Sequence, residues 1–207
     1  MKYEIIEDCS PYYIRFTYKG LTEFNLYALD VYDKYNWEDN VNKVYAKFTH
    51  RKLNSIFGQT ILNRADVSKD IILNPNRVSF FKSDPELYYP AHKDGPNHRF
   101  SINYTIKILD DQCVTSWYSD DDLKDYPSIK HLEKFSRELD GFKKENHTPI
   151  KSMIAKPNEC ILFNTDIFHD WDNRTSTNER IVLTLRSTTP GNIYFNDAKQ
   201  LLFKGKI

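Results

Sequence analysis

The chain has 207 residues and a mass of 24.6 kDa, so one large domain spanning 1–207 is expected rather than two small ones. Its 29 Lys and Arg balance 29 Asp and Glu, which argues against a polybasic binder of nucleic acid or anionic membrane. Hydrophobic residues at 40% and aromatics at 14% provide a sizeable core and exclude disorder by composition.

In chain order, residues 1–16 lack the long uncharged apolar core of a signal peptide. No run approaches the roughly 18 apolar residues of a membrane span, so a cytoplasmic protein with no membrane partner is expected. Residues 12–18 read as a strand. From 21 to 48 the apolar residues Phe24, Tyr27, Ala28, Val31 and Tyr35, then Val41, Val44, Tyr45 and Phe48, recur at three and four. That spacing predicts two helices broken near 36–40. From about Arg77 short runs rich in β-branched and aromatic residues follow at 78–81, 86–91, 99–109, 113–117, 150–155, 160–164 and 180–187, separated by turn-formers. Between them 120–146 is charged, with Ile129, Leu132, Phe135 and Leu139 at helical spacing, which predicts an insertion carrying a surface helix. The outline is mainly β, a jelly roll or cupin-like barrel with supporting helices. A helical and mixed support over 1–76 leads into a jelly-roll core over 77–190, interrupted by the insertion at 119–147 and followed by a C-terminal extension over 191–207. Cys9, Cys113 and Cys160 are odd in number and widely spaced, which argues against a disulfide framework or paired zinc knuckles and leaves reduced, inert thiols.

Two histidines have distinctive settings. His92, two residues before Asp94, follows an aromatic strand and precedes a Gly-Pro turn; His169 lies in a later strand-like segment. A His-x-Asp at a strand end with a second His on a distant strand is the ligand set of the two-histidine, one-carboxylate facial triad. Two neutral imidazoles and one carboxylate hold Fe(II) and leave three positions open on the opposite face. The spacing alone says little, because such pairs arise by chance; His131-Leu132-Glu133, within the insertion, reads as a solvated helix face. His92 taken singly reads either as a ligand or as a satisfied core residue. In the strand 180–187, alternation puts Arg180, Val182, Thr184 and Arg186 on one face and Ile181, Leu183 and Leu185 on the other. An inward arginine needs a carboxylate partner, internal or from a ligand, whereas on an edge strand both arginines would be solvated.

Taken together, Tyr89-x-x-His92-x-Asp94, His169 about 75 residues later and Arg180 eleven further on resemble the Fe(II)- and 2-oxoglutarate-dependent oxygenase superfamily, over roughly 78–187. The Tyr-x-x-His-x-Asp run is similar to that of its prolyl-hydroxylase-like members. The resemblance implies a double-stranded β-helix, with His92, Asp94 and His169 binding iron and Arg180 holding the far carboxylate of 2-oxoglutarate. It further implies cofactor contacts from Tyr89, from Asn103 or Tyr104 on the strand 99–109, and from Arg186. Trp117 and Trp171 are candidates for walling a substrate cleft. Related halogenases carry a small residue where Asp94 stands, so its presence implies hydroxylation, with dioxygen consumed and succinate and CO2 released. Arg180-x-x-Leu183-Thr184-x-Arg186 also resembles a run in the AlkB-type nucleic-acid demethylases, but there the first Arg lies further from the second His. No basic, aromatic-laced surface for a nucleic-acid strand is evident here. A small molecule or peptide is therefore the expected substrate. The alternatives are a cupin-like metal enzyme that does not use 2-oxoglutarate and a metal-free interaction module.

Overall fold

The computed structural model describes residues 2–37, 41–45, 48–94, 99–126, 128–130, 137–139, 142–187 and 193–204. The chain opens with a hairpin of β1 (Tyr3–Cys9) and β2 (Tyr13–Tyr18), then α1 (Leu21–Lys34), a second hairpin of β3 (Val41–Tyr45) and β4 (Phe48–Lys52), and α2 (Ser55–Arg64). There follow β5 (Ser79–Ser83), β6 (Tyr88–Lys93), β7 (Phe100–Lys107), β8 (Val114–Trp117), the single turn α3 (Asp120–Leu123), β9 (Ser128–Lys130) and β10 (Arg137–Leu139). The last elements are β11 (Lys151–Ile154), β12 (Cys160–Asn164), β13 (His169–Asp172), β14 (Arg180–Leu185) and α4 (Phe195–Leu202).

The strands form two antiparallel sheets, one in the order β1-β2-β12-β7-β14-β5-β4-β3 and the other β11-β8-β13-β6-β10-β9. From β5 to β8 and from β11 to β14 the chain alternates between the sheets, which is the winding of a double-stranded β-helix and matches the jelly-roll expectation. Seven of its eight strands fall on the runs expected from the sequence; β13 has no run of its own there, only the strand-like setting of His169, because four residues, His169–Asp172, are too short to show alternation.

The outer face of the larger sheet carries the main core. Phe16, Phe80, Ile102, Tyr104, Leu162, Leu183 and Leu185 pack there against Leu21, Phe24, Ala28 and Tyr32 of α1, Ile61 and Leu62 of α2, and Phe195, Ala198 and Leu202 of α4. Each such large side chain contributes about 1.5–3 kcal/mol by leaving water. β14 is buried along its whole length, as a central strand covered on both faces must be.

Two expected helices are strands. The second half of 21–48 forms the β3–β4 hairpin, because β4 completes the hydrogen-bonding edge of β5 along Phe48 to Lys52; pairing that open edge outweighs a weak helical periodicity. In the insertion, Ile129 lies in β9 and Leu139 in β10, which pairs with the open edge of β6. Leu132 and Phe135 fall outside the described residues. Among the described residues no helix is long and apolar enough to cross a membrane.

Behind the smaller sheet, Asp170 of β13 is fully buried and accepts hydrogen bonds from Ser116 N at 3.1 Å and Tyr118 Oη at 2.7 Å. Burial raises its pKa, and the Lys144 ammonium 3.2 Å away counters that rise. Removing the cation leaves a buried charge uncompensated, so Lys144→Met is expected to cost about 3 kcal/mol in urea unfolding. Much of that loss is expected to return in Lys144→Met/Asp170→Asn.

Candidate metal centre

The strands β6 and β13 pair so that His169 stands directly opposite His92, with ring centroids 4.4 Å apart. The ladder is irregular one step further on, where Trp171 faces Tyr89 and β6 carries an extra residue. Pro90 lies in that bulge, where its missing N–H costs no ladder bond. The bulge changes which residues share a face. Strict alternation would put Tyr89 and His92 on opposite sides, yet their rings meet edge to face at 4.5 Å.

Both imidazoles are held by backbone carbonyls two residues before them, His92 Nδ1 by Pro90 O at 2.9 Å and His169 Nδ1 by Ile167 O at 2.8 Å. A carbonyl only accepts, so each Nδ1 carries a proton, and in the neutral ring Nε2 then holds the lone pair a metal ligand needs. Burial, with the neighbouring His92 adding to it, pushes the His169 pKa down to about 3, so its imidazole is neutral in ordinary buffers.

Asp94 follows β6 by one residue. Its N–H donates to Thr165 O at 3.2 Å, its Oδ1 lies 3.7 Å from His92 Nε2, and its Oδ2 accepts from Arg186 Nη2 at 3.0 Å. Ligand atoms of His92, Asp94 and His169 lie within 4.8 Å of one another, so one ion can be shared by all three.

Arg180 opens β14 and Arg186 follows its last residue; the two share a face, as alternation requires, but meet different partners. Arg186 neutralises Asp94. Arg180 is 5% exposed and has no carboxylate partner among the described residues; its guanidinium lies over the Trp171 ring at 4.6 Å, and Nη1 donates to Cys113 Sγ at 3.1 Å. Arg180 Nε is buried without a hydrogen-bond partner. So are Ser83 Oγ, on the residue paired with Arg180, and Thr105 Oγ1 and Asn103 Oδ1, on residues paired with Val182 and Thr184. A buried cation and a row of unpaired polar atoms on one inner face fit an anionic, polar molecule reaching from the metal ligands toward Arg180.

Several sequence expectations separate here. Tyr89, Asn103, Trp171, Arg180 and Arg186 lie on the inner face with the three candidate ligands. Tyr104 does not: it points to the outer face, fully buried against Phe24 of α1 at 4.8 Å, because adjacent residues of a strand face opposite ways. Trp117 is fully buried, stacked on Tyr13 at 5.0 Å and packed on Phe163, so it fills core instead of walling a cleft. Trp171 meets Arg180 at the inner end of the site.

Two participants escaped the sequence reading. Cys113 looked inert, and no local motif marks it. His50, on β4, stacks flat on Phe81 at 4.7 Å with its Nε2 buried and unpartnered. Its strand begins where the segment read as helix ends, in residues the sequence reading assigned to no element.

Fold and side chains together describe a candidate two-histidine, one-carboxylate ligand set between the sheets of a double-stranded β-helix. This is the fold of 2-oxoglutarate–Fe(II) oxygenase structures. The epimerase SnoN, solved with Fe3+, alpha ketoglutarate and nogalamycin RO, superposes with a TM-score of 0.55 at 9% identity, over 86% of this chain and 79% of its own. HygX from Streptomyces hygroscopicus, solved with nickel and 2-oxoglutarate, gives 0.55 at 8% identity over 85% and 83%. An oxidoreductase of the 2OG-Fe(II) oxygenase family from Burkholderia pseudomallei gives 0.52 at 13% identity over 83% and 92%. No family model matches the sequence, and the search of curated proteins gave no match.

Two outcomes follow from this geometry. Arg186→Leu frees Asp94 from its orienting partner and is expected to weaken Mn(II) binding, read by titration calorimetry, by about 10–100-fold. His50 has its pKa lowered to about 4 by burial and by the charges of Arg186 and Lys52, against an opposing pull from Asp94. Between that value and the unperturbed 6.5 the unfolded chain binds a proton that the folded one does not. The neutral ring's contribution is therefore complete above pH 6.5 and declines as pH falls toward 4. In metal-free protein, His50→Gln is expected to remove a slope of up to about 1.4 kcal/mol per pH unit across that window, measured by urea unfolding.

Proposed function

We propose that the protein is a single-domain Fe(II)- and 2-oxoglutarate-dependent dioxygenase that hydroxylates a C–H bond of a small molecule or peptide. The observation that carries the reading is the pairing of the candidate ligand cluster His92, Asp94 and His169 with a buried Arg180, on the same inner face, that has no carboxylate partner among the described residues. A metal site alone would leave that guanidinium without purpose; a 2-oxo diacid accounts for both ends. Iron and 2-oxoglutarate together supply the activation of dioxygen, with succinate and CO2 released.

In this reading the chain's own residues bind, orient and shield. His92 and His169 present Nε2 lone pairs because Pro90 O and Ile167 O occupy their Nδ1 protons. Arg186 holds Asp94 Oδ2 and leaves Oδ1 turned toward His92. Arg180 receives the far carboxylate, and Ser83, Thr105 and Asn103 offer hydrogen-bonding groups along the way. Val182, Phe81 and Tyr89 are the apolar neighbours that keep water from the inner end. The carboxylate at Asp94 favours hydroxylation over halogenation, and the balanced charge of the chain favours a substrate other than nucleic acid.

The test is an anaerobic titration of Fe(II) with and without 2-oxoglutarate, following the visible metal-to-ligand charge-transfer band of a chelated 2-oxo acid. The band is expected only with both additions, and to vanish in His92→Ala, Asp94→Ala and His169→Ala. Metal binding without a band would favour a cupin-like enzyme that dispenses with 2-oxoglutarate. If no metal binds, the oxygenase reading fails.

A further inference from the structure

Cys113 immediately precedes β8 and is fully buried, in a cluster with Ile108, Ala155 and Trp171. Its thiol receives two strong donors at once: the Trp171 indole N–H at 2.7 Å and Arg180 Nη1 at 3.1 Å. Sulfur is a weak acceptor, so a thiol is a poor choice for satisfying a guanidinium and an indole if stability alone were at issue. With the Arg180 guanidinium over the Trp171 ring at 4.6 Å, the three groups form a closed unit, each touching the other two.

That unit is tied to the metal ligands through one strand. Trp171 lies two residues beyond His169 on β13, a step of about 7 Å along the strand. Arg180 would otherwise be a long, adaptable side chain able to meet a carboxylate at several depths. Fixing one of its terminal nitrogens on Cys113 and its plane on Trp171 removes that freedom, while Nε stays unpartnered.

We propose that Cys113 is a positioning residue that fixes the depth of Arg180 and thereby selects a five-carbon 2-oxo diacid over a six-carbon one. The inference rests on the oxygenase reading above and deepens it. Removing the sulfur in Cys113→Ala frees Arg180 Nη1 and the indole N–H and lengthens the closed end by one heavy atom. Cys113→Ser keeps an acceptor at nearly the same place.

The experiment measures dissociation constants of 2-oxoglutarate and 2-oxoadipate on anaerobic Fe(II)-loaded wild type, Cys113→Ala and Cys113→Ser, from the charge-transfer band. Fe(II) affinity is measured separately without either acid. Cys113→Ala is expected to weaken 2-oxoglutarate by about tenfold, as loss of a buried hydrogen bond to a charged group does. It is also expected to narrow or invert the preference over 2-oxoadipate, with Fe(II) affinity unchanged. Cys113→Ser is expected to keep the wild-type preference, and it remains informative if the alanine variant does not fold. An unchanged ratio of the two constants in Cys113→Ala, or equal weakening of both acids, would reduce Cys113 to core filling while leaving the oxygenase reading standing. Loss of the wild-type preference in Cys113→Ser would also overturn the inference. Absence of a band in the wild type with either acid would overturn both readings together.

Discussion

The register between β6 and β13 is the constraint on which the site depends. Strand side chains change face at every residue, so a slip of one position would turn an imidazole outward and bring a neighbour in its place. For β13 that neighbour is Asp170, whose carboxylate is held on the opposite face by Ser116 N, Tyr118 and Lys144. The strand thus carries a metal-ligand candidate on one side and a buried latch on the other, and the latch makes the alternative register expensive. The bulge at Pro90 completes the arrangement by bringing Tyr89 and His92 to the same side and leaving Pro90 O free for the His92 ring.

Stability and function are divided between the faces of the larger sheet. The outer face, under α1, α2 and α4, is apolar and dense. The inner face carries unpaired polar atoms and a guanidinium that has no carboxylate partner among the described residues, features that cost free energy in a folded protein unless a ligand satisfies them. β14 and the residue after it show this division position by position: Ile181, Leu183 and Leu185 belong to the outer core, while Arg180 and Arg186 mark the two ends of the candidate site. The two arginines are chemically alike but differently partnered: Arg186 pairs with Asp94, whereas Arg180 has no carboxylate partner among the described residues.

The sheets also extend beyond the β-helix on one side. β4 and β3 continue the larger sheet past β5, and β10 and β9 continue the smaller one past β6, the strand that carries His92. These additions come from the N-terminal region and from the insertion, segments that lie outside the eight winding strands. His50 sits on this extension, stacked on Phe81.

The sequence by itself determined the β-rich class, the positions of most winding strands, the three candidate ligands and the alternation of β14. Each is written in local chemistry: β-branched and aromatic runs, turn-formers, and a period of two. It could not determine what depends on pairing between distant segments. The hairpin β3–β4 and the strands β9 and β10 looked helical because apolar spacing is a weak local signal, and only the open edges of β5 and β6 make extended chain the better solution. Tyr104 and Trp117 were plausible lining residues until packing assigned one to the helical side and the other to a stack with Tyr13. Cys113 carried no signal at all, since its role comes from meeting Trp171 and Arg180, 58 and 67 residues away in the chain. Which residues can ligate is a matter of side-chain chemistry, legible in one dimension; which of them share a face, a partner or a buried charge is decided when strands far apart in sequence hydrogen-bond in one register.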